Sequence, residues 1–267
     1  EARVKIHDNK TWFAFLHNYR HFATLLQNWA GPTWLNESDL DIQHTLGALL
    51  VALILVLIAI ALRSTLKDEK RSIVPDDRLT LRNFIELVAE IVLGYMEEIM
   101  GKKASRYFFP LIGTCAFFIL FSNALGFIPG LIPPTSNLNT TAGCAVIIFI
   151  STHVFGFREH GIKYLAHFFG PIKPTLAWHM PLVLLLCVFM FVVEIIGHLA
   201  RPVSLSMRLM GNMFADHAVV GVFLLLVPLV VPVPLMLLGL LVCIVQTLVF
   251  CLLSMVYIGS AIAHEEH

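Results

Sequence analysis

The chain has 267 residues, of which 58% are hydrophobic and 13% charged, with 18 basic and 18 acidic side chains and no net formal charge. Soluble domains carry about 25% charged residues, so a water-soluble globule is excluded, and the neutral balance offers no basic surface to a nucleic acid. Only ten of the charged residues follow Arg106, and the runs Tyr107–Phe157 and Ala218–Ala263 contain none. A bilayer core takes about 20 residues of helix at 1.5 Å rise each, so the composition points to an integral membrane protein of the all-α class.

In chain order, residues 1–43 form a polar, aromatic-dotted extension with no cleavable signal pattern, ending in the acidic cluster Glu37, Asp39 and Asp41. TLGALLVALILVLIAIAL follows as the first span, within 44–63, and Arg63, Lys67, Lys70, Arg71, Arg78 and Arg82 come directly after it. Lys/Arg-rich flanks stay in the cytoplasm, which puts the N-terminus outside. Residues 76–104 read differently. Phe84, Val88, Ile91 and Tyr95 fall on one helical face, and Asn83, Glu86, Glu90 and Glu97 on another. That is an amphipathic helix on the cytoplasmic membrane surface rather than a span.

The uncharged run 107–157 is too long for one helix and is broken by FIPGLIPPTSNLN, so it reads as a hairpin of two spans with an external turn. Arg158, Lys163 and Lys173 return the chain to the cytoplasm, and residues 181–258 form a longer hairpin that turns outside at PLVVPVP. The fold expected is therefore five membrane helices plus one surface helix. The organisation is an external extension (1–43) and a membrane domain (44–267), with AHEEH ending in the cytoplasm. Cys115, Cys144, Cys187, Cys243 and Cys251 lie in apolar runs without metal-ligand spacing and read as small buried side chains. No metal or cofactor is expected.

Charged residues inside the last hairpin need a reason, because an Arg or Asp at the centre of a membrane helix costs about 2.5–3.5 kcal/mol. On an ideal helix Glu194, Arg201, Arg208 and Asn212 lie within about 40° of one another, flanked by His198 and Asp216, while His217 is about 180° from Arg208. One helix thus serves two polar environments. Glu194 and Arg201 could pair or snorkel, His198 could be a packing histidine, and Asn212 and Gln246 could be interhelical hydrogen-bonding groups. Arg208 resists such readings: it stands roughly 10 Å deeper than Arg201, with no acidic residue three or four positions away. A carboxylate supplied by another protein or a ligand would neutralise it. On the last helix Gln246, Ser254 and Tyr257 share a polar face that includes Gly239.

The stretch RPVSLSMRLMGNMFAD (201–216), followed by an apolar hairpin carrying Gln246, resembles the a subunit of rotary F-type ATP synthases. NFIELVAE (83–90) is similar to that family's surface helix, and PTSNLNTT (134–141) to the loop before its next span. The resemblance implies a non-catalytic, ion-translocating stator. Its two long tilted helices lie against a ring of c subunits bearing membrane-embedded carboxylates, and two offset half-channels reach the ring from opposite sides. It assigns the essential arginine to Arg208, places Asn212 and Gln246 beside it, and puts Glu194 on the cytoplasmic half-channel. The implied partners are the c-subunit ring, b-type peripheral stalk subunits, other synthase subunits and the lipid bilayer, in a bacterial inner membrane. The sequence departs from the family at one pair of positions: a position commonly Glu is His217, next to Asp216, and its often titratable partner is Gly239. The external path is then expected through Asp216 and His217.

Three other classes fit less well. A secondary transporter would show repeats, and none is present in the five spans. An electron-transfer subunit would need facing histidines at similar depth, whereas His153, His198 and His217 read as scattered in depth. A structural anchor leaves Arg208 unexplained.

Overall fold

The computed structural model describes residues 43–66, 81–128, 131–161, 164, 181–226 and 232–262. The extension expected at 1–43, apart from its last residue, the first residues expected in the surface helix (76–80), the turn at 227–231 and the AHEEH tail lie outside them. Six α-helices are described: α1 Gln43–Leu66, α2 Leu81–Met100, α3 Lys102–Leu125, α4 Leu138–His160, α5 Pro181–Leu226 and α6 Pro232–Ile262. A single 3-10 turn, Pro134–Ser136, precedes α4. No strand occurs among the described residues, as hydrocarbon demands of a chain that must satisfy its backbone polar groups internally. Among the described residues five helices are long and apolar enough to cross a membrane, through His44–Arg63, Lys102–Leu125, Leu138–His160, Val188–Phe223 and Val233–Ile262. The amphipathic α2 is not among them. The 36-residue apolar stretch of α5 is about 54 Å long, far more than the roughly 30 Å hydrocarbon core, so it cannot stand upright inside one.

The expected surface helix (76–104) and the span after it divide elsewhere than anticipated. α2 stops at Met100, Gly101 takes a left-handed φ of 79°, and α3 starts at once with Lys102. Only glycine adopts that conformation without strain. The Gly101 N–H donates to the Glu97 carbonyl at 3.1 Å, and the Gly101 carbonyl accepts from Ser105 N–H at 3.0 Å. Val88 packs inward with Val92, Met96 and Met100, whereas Phe84, Ile91 and Tyr95 are exposed.

By its contacts the chain divides into two compact units, to both of which α3, α5 and α6 contribute segments. In the unit formed by residues 75–116, 141–211 and 245–267, the core joins Val92 and Met96 of α2, Phe108, Ile112 and Ala116 of α3, and Cys251, Met255 and Ile258 of α6. Each set recurs at three- or four-residue spacing, so each helix turns one stripe inward. At the edge of this core Phe155 of α4 meets Phe108 edge-on at 4.7 Å and Tyr107 at 5.6 Å between centroids. Each such pair adds about 0.5–1.5 kcal/mol beyond its buried area.

The other unit takes residues 1–74, 117–140 and 212–244. Here the segment before α4 is tied down from three sides. Thr135 Oγ1 donates to Asn123 Oδ1 on α3 at 2.6 Å, both residues being fully buried. Pro134 lies on Gly47 of α1, where an added Cβ would stand 3.1 Å from Pro134 Cγ. Asn137 caps α4, its Oδ1 accepting from Asn139 N–H at 2.9 Å, the side-chain bond that an N-cap residue supplies.

Candidate functional site

Seven residues carry the functional expectation: Glu194, His198, Arg208, Asn212, Asp216, His217 and Gln246. Five of them lie on α5 between Glu194 and Asp216, and the continuous helix from Pro181 to Leu226 preserves their helical spacing. His217 follows on the same helix, and Gln246 lies on α6.

In the unit containing residues 141–211, Glu194 and His198 are bonded one turn apart, His198 Nε2 lying 3.1 Å from Glu194 Oε1. His198 is the better buried of the two, its side chain 12% exposed against 33%. Arg201 does not pair with Glu194, one of the arrangements its spacing allowed. Its guanidinium lies over the Tyr257 ring of α6, 5.3 Å from the centroid, in cation–π contact. Pro202 sits inside α5 and cannot donate the helical bond to the His198 carbonyl, which loosens the backbone ladder beside the Glu194–His198 pair.

Position 153 was among histidines read as scattered in depth. The structure brings two of them together: His153 of α4 faces His198 with 5.1 Å between ring centroids. Tyr164 Oη lies 3.0 Å from His153 Nδ1. Burial pushes the Tyr164 phenol above its ordinary value, with Arg201 opposing and Glu194 reinforcing the shift, so at neutral pH it keeps its proton. The His153 and His198 rings border a small pocket with Phe149, Thr152, Arg201 and Tyr257. Sequence spacing put Tyr257 on a polar face of α6 but gave no access to His153 or Tyr164 as site residues, because what joins them to α5 is the packing of α4 and the segment after it. The available signal was a histidine three residues before Gly156 within an uncharged run.

Arg208 is exposed, and among the described residues it forms no hydrogen bond or ion pair. Its neighbours Leu205 and Leu209 are buried, while Val203 and Met207, with Leu199 and Ile196 further back, present an exposed apolar face. The guanidinium therefore stands at the border of a greasy surface with its charge uncompensated among the described residues. Gln246 is only 4% exposed and lies among the buried polar groups Thr247 and Ser254 of α6.

The other unit holds Asn212, Asp216 and His217. Asn212 is exposed and Asp216 and His217 are half-buried. Asp216 lies against Gly239 of α6, and the His217 ring against Gly126 in the turn that follows α3. A Cβ at either glycine would stand 2.5 Å from the neighbouring polar atom, Asp216 Oδ2 in one case and His217 Nε2 in the other. Real Cβ atoms essentially never come that near another heavy atom, so each side chain occupies space opened by a glycine, Gly239 on α6 in one case and Gly126 in the turn after α3 in the other. No group of three or more potential metal ligands occurs among the described residues.

Comparison with known proteins bears on the same stretches. The family described as the ATP synthase A chain matches residues 46–259. ATP synthase subunit a of Sorangium cellulosum is 43% identical over 241 residues, covering 89% of this chain and 90% of that protein. The corresponding protein of Geobacter sulfurreducens is 50% identical over 187 residues, 70% of this chain and 76% of its own length. ATP synthase subunit a 1 of Syntrophotalea carbinolica is 47% identical over 224 residues, or 84% and 87% of the two chains. The matched region includes all five apolar helices and every candidate residue from Glu194 to Gln246: the chain belongs to the ATP synthase A chain family and is a subunit of the membrane sector of the F-type enzyme.

Proposed function

We propose that Arg208 separates two proton paths through the membrane sector and meets the carboxylates of a c-subunit ring one at a time. The observation that carries this reading is the exposed guanidinium, without a counter-ion among the described residues, at the edge of an apolar helix face. A buried or lipid-facing charge is tolerated only when paired, so the apolar face is to be covered by a partner that brings the anion. A guanidinium keeps its charge at every working pH. It repels a hydrated proton and favours the ionised form of a carboxyl group that approaches it.

On one side of Arg208 in the sequence stand Glu194 and His198, and on the other Asp216 and His217, with Asn212 and Gln246 assigned to the ring interface. Protons reach an emptied ring carboxylate through one pair and leave a loaded one through the other after rotation. The driving energy is about 2.3 kcal/mol per charge per 100 mV, plus any pH gradient. The basic flank after α1 supports an N-terminus outside and a C-terminus in the cytoplasm. In this reading the bacterial inner membrane is the location, and b-type stalk subunits hold the chain fixed against the ring.

The test is ΔpH-driven ATP synthesis and passive proton leak in vesicles carrying the reconstituted complex with Arg208→Ala. Loss of synthesis, with or without raised leak, is the expected result. Synthesis and leak equal to wild type would overturn the separator role.

A further inference from the structure

We propose that His153 and Tyr164 extend the Glu194 path, so that Glu194, His198, His153 and Tyr164 form a side-chain relay for protons. The proposal rests on the reading of Glu194 and His198 as path residues and adds two members from other segments of the chain.

The relay is built from local structure. α4 ends at His160, and Gly161 takes a left-handed φ of 57°, which a residue with a side chain rarely adopts. The Gly161 N–H donates to the Phe157 carbonyl at 2.7 Å, and the Gly161 carbonyl accepts from Tyr164 N–H at 3.2 Å. The chain is thereby turned back on α4, and the Tyr164 ring settles over buried Gly156, where an added Cβ would stand 2.7 Å from the ring. Seated there, the hydroxyl reaches His153 Nδ1 at 3.0 Å. The His153 ring in turn faces His198 at 5.1 Å between centroids, with 59° between planes. His198 Nε2 reaches Glu194 Oε1 at 3.1 Å. Two glycines, one for the turn and one for the close approach, thus complete an array of four ionisable groups from α4, α5 and the residue after α4.

Imidazole suits such an array because it accepts a proton at one ring nitrogen and releases one from the other. A proton carried by Glu194 passes to His198 Nε2, and His198 releases one from Nδ1. His153 takes it at Nε2 and gives up the proton on Nδ1 to Tyr164 Oη, whose own proton leaves to water. The reverse tautomer change resets each ring. One proton passes from Glu194 to water, no electron moves, and His198, His153 and Tyr164 each end with the number of protons they began with. The titratable and charged groups around His153 are Tyr164, His198, Glu194, Arg201 and Tyr257.

The test uses the whole reconstituted complex with His153→Gln and, separately, Tyr164→Phe, which removes one hydroxyl and leaves the ring on Gly156. ATP-driven proton pumping is measured from about pH 5.5 to 8.5, the range that brackets imidazole titration. Expected is a roughly hundredfold slower turnover in His153→Gln, the low end of what positioned proton carriers contribute, with the wild-type inflection in the pH profile flattened in both variants. Pumping at the wild-type rate, or slowing by one factor at every pH, would overturn the relay. Where His153→Gln does not assemble, Tyr164→Phe decides by the same criteria. Arg208→Ala measured alongside separates the two readings. If Arg208→Ala stops coupling while both relay variants pump normally, only the relay fails. If Arg208→Ala couples normally, the parent reading fails.

Discussion

Asp216 and Gly239 share one space: the carboxylate of the first fills the position where a side chain on the second would begin, 2.5 Å from Oδ2 and 3.0 Å from Oδ1. A side chain at 239 therefore has to displace the aspartate. Gly239→Ala is expected to lower the thermal stability of the detergent-solubilised complex by about 1–3 kcal/mol, the range of overpacking changes. Asp216→Ala/Gly239→Ala should lose less than the two single variants added together, since shortening residue 216 frees the space. Strict additivity in the double-mutant cycle would show that the two positions do not compete.

His217 and Gly126 permit a functional version of the same argument. A Cβ at 126 would stand 2.5 Å from His217 Nε2 and 3.1 Å from Pro133 Cγ, so the imidazole must swing away from α3. Gly126→Ala is expected to reduce ATP-driven proton pumping to the level of His217→Ala, with the double variant no worse than either. Pumping at the wild-type rate in Gly126→Ala would remove His217 from the path.

Much of the fold was legible because charge marks the spans so plainly. The uncharged run 107–157 and its Pro/Gly break announced α3 and α4, and the amphipathic character of 81–100 was visible in Glu86, Glu90 and Glu97. The start of α3 at Lys102 was not legible in the sequence, because Lys102, Lys103 and Arg106 are charged residues in the first turns of an otherwise uncharged span. The Glu194–His198 bond follows from four-residue spacing on one helix. The His153–His198 contact does not, because it depends on how α4 crosses α5. The places of Asp216 and His217 depend on glycines 23 and 91 residues away in the chain, which no local pattern relates to them.

A buried hydrogen bond offers a structural test independent of transport. Thr135→Val keeps the shape of the side chain but leaves Asn123 Oδ1 without its 2.6 Å donor, in a site that solvent does not reach. The expected loss is about 1–3 kcal/mol, seen as a lower midpoint in thermal unfolding of the complex, while Thr135→Ser should retain most of the stability. Equal midpoints for Val and wild type would mean that the bond contributes nothing net.

Charge alone does not define the role assigned to Arg208. A lysine in its place carries one compact ammonium that can lose its proton when desolvated. Arg208→Lys is accordingly expected to fail in ΔpH-driven ATP synthesis nearly as completely as Arg208→Ala. Synthesis near the wild-type rate in the lysine variant would indicate that any permanent cation of similar reach suffices.

Gly101 has a consequence for how this chain tolerates alteration of its length. With Met100 ending one helix and Lys102 opening the next, the corner contains no slack to take up an added residue. An insertion accommodated within α2 would rotate the part before it by about 100° relative to the part after it. Val92 and Met96 would then point away from Phe108, Ile112 and Met255. Epitope tags, spectroscopic labels on extra residues and circularly permuted termini are for that reason poorly placed at this corner, however accessible Gly101, Lys102 and Lys103 are on the surface.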